Sequence, residues 1–272
     1  MKLSYGKILL TVIMTLVLVG MLFPLFYMVI VSFKRIDIVS GIDVLFGAGF
    51  SLDNYHQIFA RGGIGTFIFN SLYVAIVVTT GNIVFCLMSG YALARRKFIG
   101  NRLLFLAAAA VLMVPQHVII IPVFILISKL GLFNTYWALI LPWLVNPLGI
   151  FLMRQYISNL PDDLEQAARI DGAGEFTILF KIVAPLCKPA LAVLAIQVFL
   201  TNWNSFLYPF ILVSSPDLYT LPVGLAMIKG LQQINLGQLM AGSTIAALPV
   251  IIVFLFFQRR ITEGITAGAL KG

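Results

Sequence analysis

The 272 residues are 61% hydrophobic and 10% charged, with a mean hydropathy of +1.03. Soluble domains carry about 25% charged residues, so this composition excludes a soluble globular protein and marks an integral membrane protein. The formal net charge of +8 fits Lys and Arg gathered in cytoplasmic loops rather than a nucleic-acid surface, because no basic cluster with interleaved aromatics stands apart from a membrane edge.

A bilayer core needs about 20 apolar residues as helix. Six segments qualify, giving an all-α, polytopic fold with spans at 8–33, 67–94, 103–127, 137–156, 186–213 and 241–258 in a single domain over 1–272. The first follows Lys2 and Lys7 and is apolar from Ile8 to Phe33. That exceeds the roughly 7–15 residues of a signal-peptide core, and no small-x-small cleavage site follows, so it reads as a retained helix. Next, "FSLDNYHQIF" (Phe50 to Phe59) reads as a short capped amphipathic turn. Prolines 24, 115, 122, 142, 147, 209 and 249 fall within spans, where neighbouring helices satisfy the carbonyls they free. "LPVGLAMIKGLQQINLG" (Leu221 to Gly237) reads as a second amphipathic external segment, and 259–272 as a tail. The cysteines, Cys86 and Cys187, match neither a disulfide framework nor a metal-ligand spacing.

Placing the N-terminus inside puts thirteen Lys and Arg in the cytoplasm (Lys2, Lys7, Arg95, Arg96, Lys97, Arg102, Arg154, Arg169, Lys181, Lys188, Arg259, Arg260, Lys271). Five face outward (Lys34, Arg35, Arg61, Lys129, Lys229), so both termini read as cytoplasmic. The loop 157–185 is then the longest inner loop.

All ten Asp and Glu lie outside the six spans. A buried charge costs about 3 kcal/mol on insertion scales, so intramembrane carboxylates usually mark proton or ion coupling; their absence argues against an ion-coupled secondary carrier. No G-x-x-x-x-G-K-[ST] phosphate loop is present, so energy for uphill transport must come from another subunit. Neither HExxH nor GxSxG occurs, and no Cys–His pair has a plausible orienting group, so no catalytic residues and no enzyme are read here. The spans do carry neutral polar groups: Asn70, Ser71, Asn82, Gln116, His117, Asn146, Gln197, Asn202, Trp203 and Asn204. Each alone fits an interhelical hydrogen bond worth about 1 kcal/mol. His117 reads as structural, with Ile121 rather than a ligand at i+4. "NWNSFLYPF" (Asn202 to Phe210) is denser, bracketing aromatics with amides and hydroxyls, and suits either a hydroxylated solute or a polar helix seam.

The inner loop carries "LPDDLEQAARIDGAGEFTILFKIVAPLCKP", Leu160 to Pro189. Pro161 suits a first helical turn, and Asp162, Asp163 and Glu165 favour the positive end of the helix dipole. Leu164, Ala167, Ala168 and Asp171 repeat at i, i+3, i+4 and i+7, predicting one nearly flat face for a partner protein. Gly172 suits a left-handed helix end. A second helix follows through "EFTILFKIV", with Phe176, Leu179, Phe180 and Val183 on one side and Pro185 closing it.

This stretch resembles the "EAA" loop of permease subunits in bacterial ATP-binding-cassette importers, E-A-A-x-x-D-G-A followed by an apolar run and P-L-x-x-P. Gln166, Ala167, Ala168, Asp171, Gly172 and Ala173 occupy those places, then Pro185, Leu186 and Pro189. Gln166 stands where the pattern has Glu, and Glu165 sits about 100° away around the helix, so it does not replace that contact. With "FNSLYVA", "SGYALAR", "WNSFLYP" and the ending "QRRITEGITAGALKG", the resemblance covers nearly the whole chain and points to the shorter, maltose-transporter-type permease of carbohydrate uptake, with blocks shared by glycerol-phosphate systems.

The resemblance implies a type I importer permease in the bacterial cytoplasmic (inner) membrane, importing a sugar or oligosaccharide, or alternatively glycerol phosphate, a polyol or another small solute. It implies no cofactor in this chain, with ATP and Mg held by a cytoplasmic ATPase dimer. A second, longer permease and an extracytoplasmic binding protein complete the complex. Glu165, Gln166, Ala167, Ala168, Asp171, Gly172, Ala173 and Pro185 are the implied coupling residues, and Thr266, Gly268, Lys271 and Gly272 the tail contacts. Asn82, Asn202, Trp203 and Asn204 are the candidates for the translocation pathway.

Overall fold

The computed structural model describes residues 5–34, 49–61, 63–232 and 236–269, with backbone alone at 61, 229–232 and 258–269. Helices dominate, and the only β pairing among these residues is one bridge, Lys34 to Phe50. In chain order the helices are α1 (Tyr5–Ser32), α2 (Asp53–Arg61), α3 (Ile64–Arg95), α4 (Asn101–Val111), α5 (Ile120–Lys129), α6 (Tyr136–Ile140) and α7 (Pro147–Ser158). There follow α8 (Asp163–Ile170), α9 (Glu175–Leu186), α10 (Lys188–Trp203), α11 (Leu207–Leu212), α12 (Leu221–Gln232) and α13 (Leu236–Ala269). Among the described residues four stretches are long and apolar enough to cross a membrane: Tyr5–Ser32, Ile64–Arg95, Tyr136–Ser158 and Leu236–Phe257. A fifth is counted when α9 and α10, bent by 82° at Cys187, are taken as one.

The chain differs from unbroken spans where proline acts. The apolar run 103–127 is two helices, α4 and α5, separated by turns from Leu112 to Ile119. Pro115 lacks an N–H and disfavours helical geometry at Val114, so the ladder stops there. The run 137–156 is likewise divided: α6 passes into a 3₁₀ turn at Leu141–Trp143 containing Pro142, and α7 restarts at Pro147. Asn146 caps that restart, its Oδ1 accepting from Leu148 N at 3.0 Å. Pro24 and Pro249, by contrast, lie inside continuous helices.

Two compact units are distinguished. The first comprises Met1–Gly65 and Leu221–Pro249. Its polar knot is Asn54, whose Nδ2 donates to Ser32 O (2.9 Å) and Lys34 O (2.8 Å). The Lys34–Phe50 bridge and the Ser32–Tyr55 hydroxyl pair (2.7 Å) hold α2 beside the end of α1. The expected capped turn is the helix α2, with Ser51 Oγ accepting from Asp53 N. The second amphipathic segment is α12, burying Leu221, Val223, Leu225 and Ile228.

The second unit comprises Thr66–Thr220 and Val250–Gly272 and holds the large apolar core, with Val78, Leu87, Met153, Ile157, Leu194 and Leu212 almost fully buried. Small residues allow α3 and α7 to cross closely. A Cβ on Gly90 would lie 2.6 Å from Met153 Cβ and 2.9 Å from Arg154 N, the packing membrane helices use in place of a hydrophobic drive. Asn70 is structural: its Nδ2 donates to Asp217 O (2.8 Å) and Tyr219 O (3.0 Å), and its Oδ1 accepts from Tyr136 at 2.6 Å. Asn134, at φ 59°, accepts from Ser214 N and Ser215 N, both at 2.9 Å.

Candidate functional site

The inner loop folds as two helices at a glycine turn. Pro161 lies ahead of α8 rather than in its first turn, and Asp162 takes the cap position without a side-chain cap bond. Asp163 and Glu165 still occupy the first turn and Arg169 the last, each matched to the dipole end it faces. At the far end Gly172 adopts φ 80°, Gly172 N donates to Arg169 O (3.1 Å) and Ala173 N to Ala168 O (2.9 Å). This paired closure satisfies the last carbonyls through a left-handed residue, the conformation that glycine takes without strain.

Of the face the spacing predicts, Leu164, Ala167 and Asp171 are exposed and Ala168 is buried. Ala168 is buried with Glu165, whereas Asp163, Gln166, Ala167 and Ile170 face outward, Ile170 being 87% exposed. The inner side is narrow, and Glu165, not an apolar residue, anchors it beside Ala168. In α9 the backbone takes a π-helical course over Ile178–Val183, whose wider i→i+5 turns change which residues align. Ile178, Leu179 and Val183 are buried, while Phe176 and Phe180 are exposed and stacked at 6.5 Å. The expected grouping of Phe176, Leu179, Phe180 and Val183 is therefore split between two sides. Pro185 lies one residue before the helix end, ahead of the bend at Cys187.

Glu165 is 4% exposed and is held by three neighbours. Arg95, the last residue of α3, donates through Nε to Glu165 Oε1 (2.8 Å) and through Nη2 to Leu160 O (2.8 Å), and its Nη1 lies 2.5 Å from Asp162 Oδ1. Tyr91 OH, one turn earlier, lies 3.2 Å from Glu165 Oε2 and 3.1 Å from Glu175 Oε2; its single proton serves one carboxylate at a time. Arg169 reaches both Glu165 and Glu175 at 3.5 Å, and Arg96 pairs with Glu175. Three guanidinium groups thus balance three carboxylates, which is what permits a carboxylate at so low an exposure. Gln166 takes no part and is exposed; Ala167, Asp171 and Gly172 are exposed as well, and Ala173 is half-buried.

A separate cavity of about 600 Å³ lies within the second unit. Its described lining includes the amides Asn82, Gln116, Asn146, Gln197 and Asn202 with Thr201, Trp143 and Tyr208, and no charged side chain. The helix breaks contribute directly: the 3₁₀ turn brings Trp143 and the cap brings Asn146 to the wall. Irregular backbone at membrane depth is tolerated where it lines a cavity. Asn82 Nδ2 donates to Val78 O (3.1 Å) and Trp143 O (2.5 Å); Asn146 Nδ2 donates to Gln197 Oε1 (3.4 Å); Tyr208 OH donates to Gln116 O (2.9 Å). Trp143 and Tyr208 meet edge to face at 4.8 Å. The rest of the lining is aliphatic, Leu112, Ile119, Val123 and Leu126 among it, so amides and aromatics form a polar stripe on an uncharged wall, which suits a neutral solute with hydroxyls and apolar faces.

Of the four pathway candidates, the structure brings Asn82 and Asn202 to this cavity and leaves two aside. Trp203 is 2% exposed and stacked on Phe199, and Asn204 is exposed, donating to Leu200 O at 2.9 Å. Thr266 and Gly268 lie on the backbone of α13, while Lys271 and Gly272 fall outside the described residues. Sequence reasoning missed Tyr91, Arg95, Arg96 and Arg169. The signal available was the pair of arginines ending "SGYALARR" with no acid nearby in sequence.

Comparison with known proteins agrees with this architecture. Residues 83–266 match the family described as "Binding-protein-dependent transport system inner membrane component". The chain is 41% identical over 254 residues to the arabinooligosaccharides transport system permease protein AraQ of Halalkalibacterium halodurans, covering 92% of this chain and 91% of that protein. It is 38% identical over 276 residues to AraQ of Bacillus subtilis, covering 99% and 97%. A crystal structure of a bacterial ABC transporter involved in import of the acidic polysaccharide alginate contains a chain of the same fold, with TM-score 0.84, 22% identity, and coverage of 95% and 99%. The chain belongs to the binding-protein-dependent inner membrane component family.

Proposed function

We propose that this family member is the membrane-spanning subunit of an importer for a neutral sugar or oligosaccharide, not itself an enzyme. The observation that carries the reading is the cavity of about 600 Å³, whose largely aliphatic wall carries five amides and two aromatics and no charged side chain. An anionic solute such as glycerol phosphate calls for a cation to offset its desolvation, so the wall favours the sugar reading over that alternative. The names of the similar permeases, two of them for arabinooligosaccharides, support the same class.

In this reading both termini are cytoplasmic, on the thirteen-to-five Lys and Arg bias. The exposed face of α8, centred on Gln166, Ala167 and Ile170, docks on a cytoplasmic ATPase that holds ATP and Mg. Asp171 and the Gly172 turn present the adjoining α9, and the tail 259–272 adds a second contact. Asn82 and Asn202 border the solute path, which a longer permease completes and an extracytoplasmic binding protein supplies.

The test is the complete complex in liposomes with its binding protein, measuring ATP hydrolysis and uptake over a panel of neutral oligosaccharides and glycerol phosphate. Stimulation by one or more neutral sugars is expected; stimulation by glycerol phosphate alone overturns the sugar reading. Docking is tested with Gly172→Val. No atom lies within 4 Å of a Cβ at Gly172, so the variant strains only the φ 80° turn, at about 1–2 kcal/mol. It is expected to insert normally and to uncouple hydrolysis from uptake; normal uptake refutes docking through this loop.

A further inference from the structure

We propose that Arg95, through its fork on Glu165, Asp162 and the Leu160 carbonyl, is a strut that transmits movement of the inner loop to the cavity wall along helix α3. The inference rests on the docking of the loop by an ATPase and adds how the displacement reaches the solute path.

One helix serves both places. Arg95 ends α3, and Asn82, on the same continuous helix, lies in the cavity wall and bonds the neighbouring Trp143 O. Thirteen residues separate them, about 20 Å of rigid helix at 1.5 Å per residue. At the loop end the attachment is doubled. Arg95 fixes the start of α8 through three bonds of 2.5–2.8 Å. Tyr91 and Arg96 reach Glu175 at the start of α9, and Arg169 ties α8 to the same carboxylate. Both helices of the loop are therefore gripped by the last turn of α3 together with Arg96, the residue that follows it. A loop pushed by a partner drags α3 along and does not pivot freely on Gly172.

The strut is also separate from the docking face. Its central carboxylate, Glu165, is 4% exposed, while Gln166 and Ile170 on the outer side of α8 make none of these contacts. Only arginine satisfies the inner side, because its planar fork meets two carboxylates and a carbonyl at once, whereas lysine carries the charge as a single point. This role is positional: Arg95 acts on the path through α3.

The experiment uses the full complex with its binding protein in liposomes and reads solute taken up per ATP hydrolysed, with subunit stoichiometry measured in parallel. Arg95→Ala is expected to assemble with the ATPase and hydrolyse ATP, while solute per ATP falls about tenfold, within the range of typical inter-site coupling. Arg95→Lys, which keeps the charge but not the fork, and Glu165→Gln, which keeps the arginine but not the carboxylate, are both expected to lie between Arg95→Ala and wild type. An unchanged ratio in assembled Arg95→Ala overturns the strut, as does a parallel fall in uptake and hydrolysis that leaves the ratio constant. If Arg95→Ala fails to assemble, Arg95→Lys and Glu165→Gln decide: ratios equal to wild type in both refute the strut. Uncoupling by Gly172→Val alongside a normal ratio in the Arg95 variants leaves docking standing and removes the strut. Normal coupling in all of them removes docking itself.

Discussion

Replacing Gly90 by alanine measures how much the fold depends on the close crossing of α3 and α7. The added Cβ would lie 2.6 Å from Met153 Cβ, 2.9 Å from Arg154 N and 3.0 Å from Met153 C. Carbon atoms rest at about 3.5–4.0 Å, so the overlap approaches 1 Å. Two of the three obstructing atoms are backbone, and no rotamer change removes them; α7 must shift. Overpacking of this kind costs about 1–3 kcal/mol. Alanine returns at most about 1 kcal/mol of helix propensity over glycine, leaving a net loss of up to about 2 kcal/mol. Gly81 supplies the comparison on the same helix. There the Cβ meets only the Leu144 Cδ2 tip at 2.5 Å, the next atoms being 3.8 Å away, so a leucine rotation relieves it and Gly81→Ala is expected to be nearly neutral. The two free cysteines, both buried, provide the assay: thermal unmasking of Cys86 and Cys187 to a thiol-reactive dye in detergent. Gly90→Ala should unmask them at a clearly lower temperature than wild type, and Gly81→Ala at a similar one. A Gly90→Ala protein as stable as wild type, or a Gly81→Ala protein less stable than Gly90→Ala, refutes the reasoning.

Two further outcomes follow from particular side chains. Asn134 combines a left-handed backbone (φ 59°) with two accepted hydrogen bonds at 2.9 Å; Asn134→Gly keeps the first and loses the second, so it should lower stability by about 1–2 kcal/mol, with Asn134→Ala lower still by about 1 kcal/mol for φ, both read by the same thermal assay. Asn202→Leu removes an amide from the cavity wall and should raise the solute concentration needed for half-maximal uptake several-fold, about 1 kcal/mol for one hydrogen bond, whereas Asn204→Ala, outside the cavity, should leave it unchanged; equal effects of the two would detach the cavity from the solute path.

Much of this protein is legible without its structure, because some signals act locally or through composition. A chain with 10% charged residues has only a membrane to satisfy its apolar surface. Gly172 announces a left-handed helix end because no other residue takes φ 80° so cheaply, and the structure places the closure there. The order of residues from Gln166 to Ala173 carries the family resemblance, which the family match bears out. What spacing alone does not reveal is direction. Periodicity states which residues of α8 share a side but not which side meets the protein, and here a buried charge decides it. Glu165 turns inward because Arg95, 70 positions earlier, waits at the end of α3, and that draws Ala168 inward with it and leaves Gln166 and Ile170 exposed beside Leu164 and Ala167. The π turns of α9 depend likewise on the packing of Ile178, Leu179 and Val183, and they divide a grouping that a regular helix would keep together. The cavity, finally, exists because proline breaks in two separate apolar runs bring their polar groups to one wall. The sequence alone determines the solvent, the turns and the family; which polar groups meet is a matter of long-range packing, settled only when distant helices share one space.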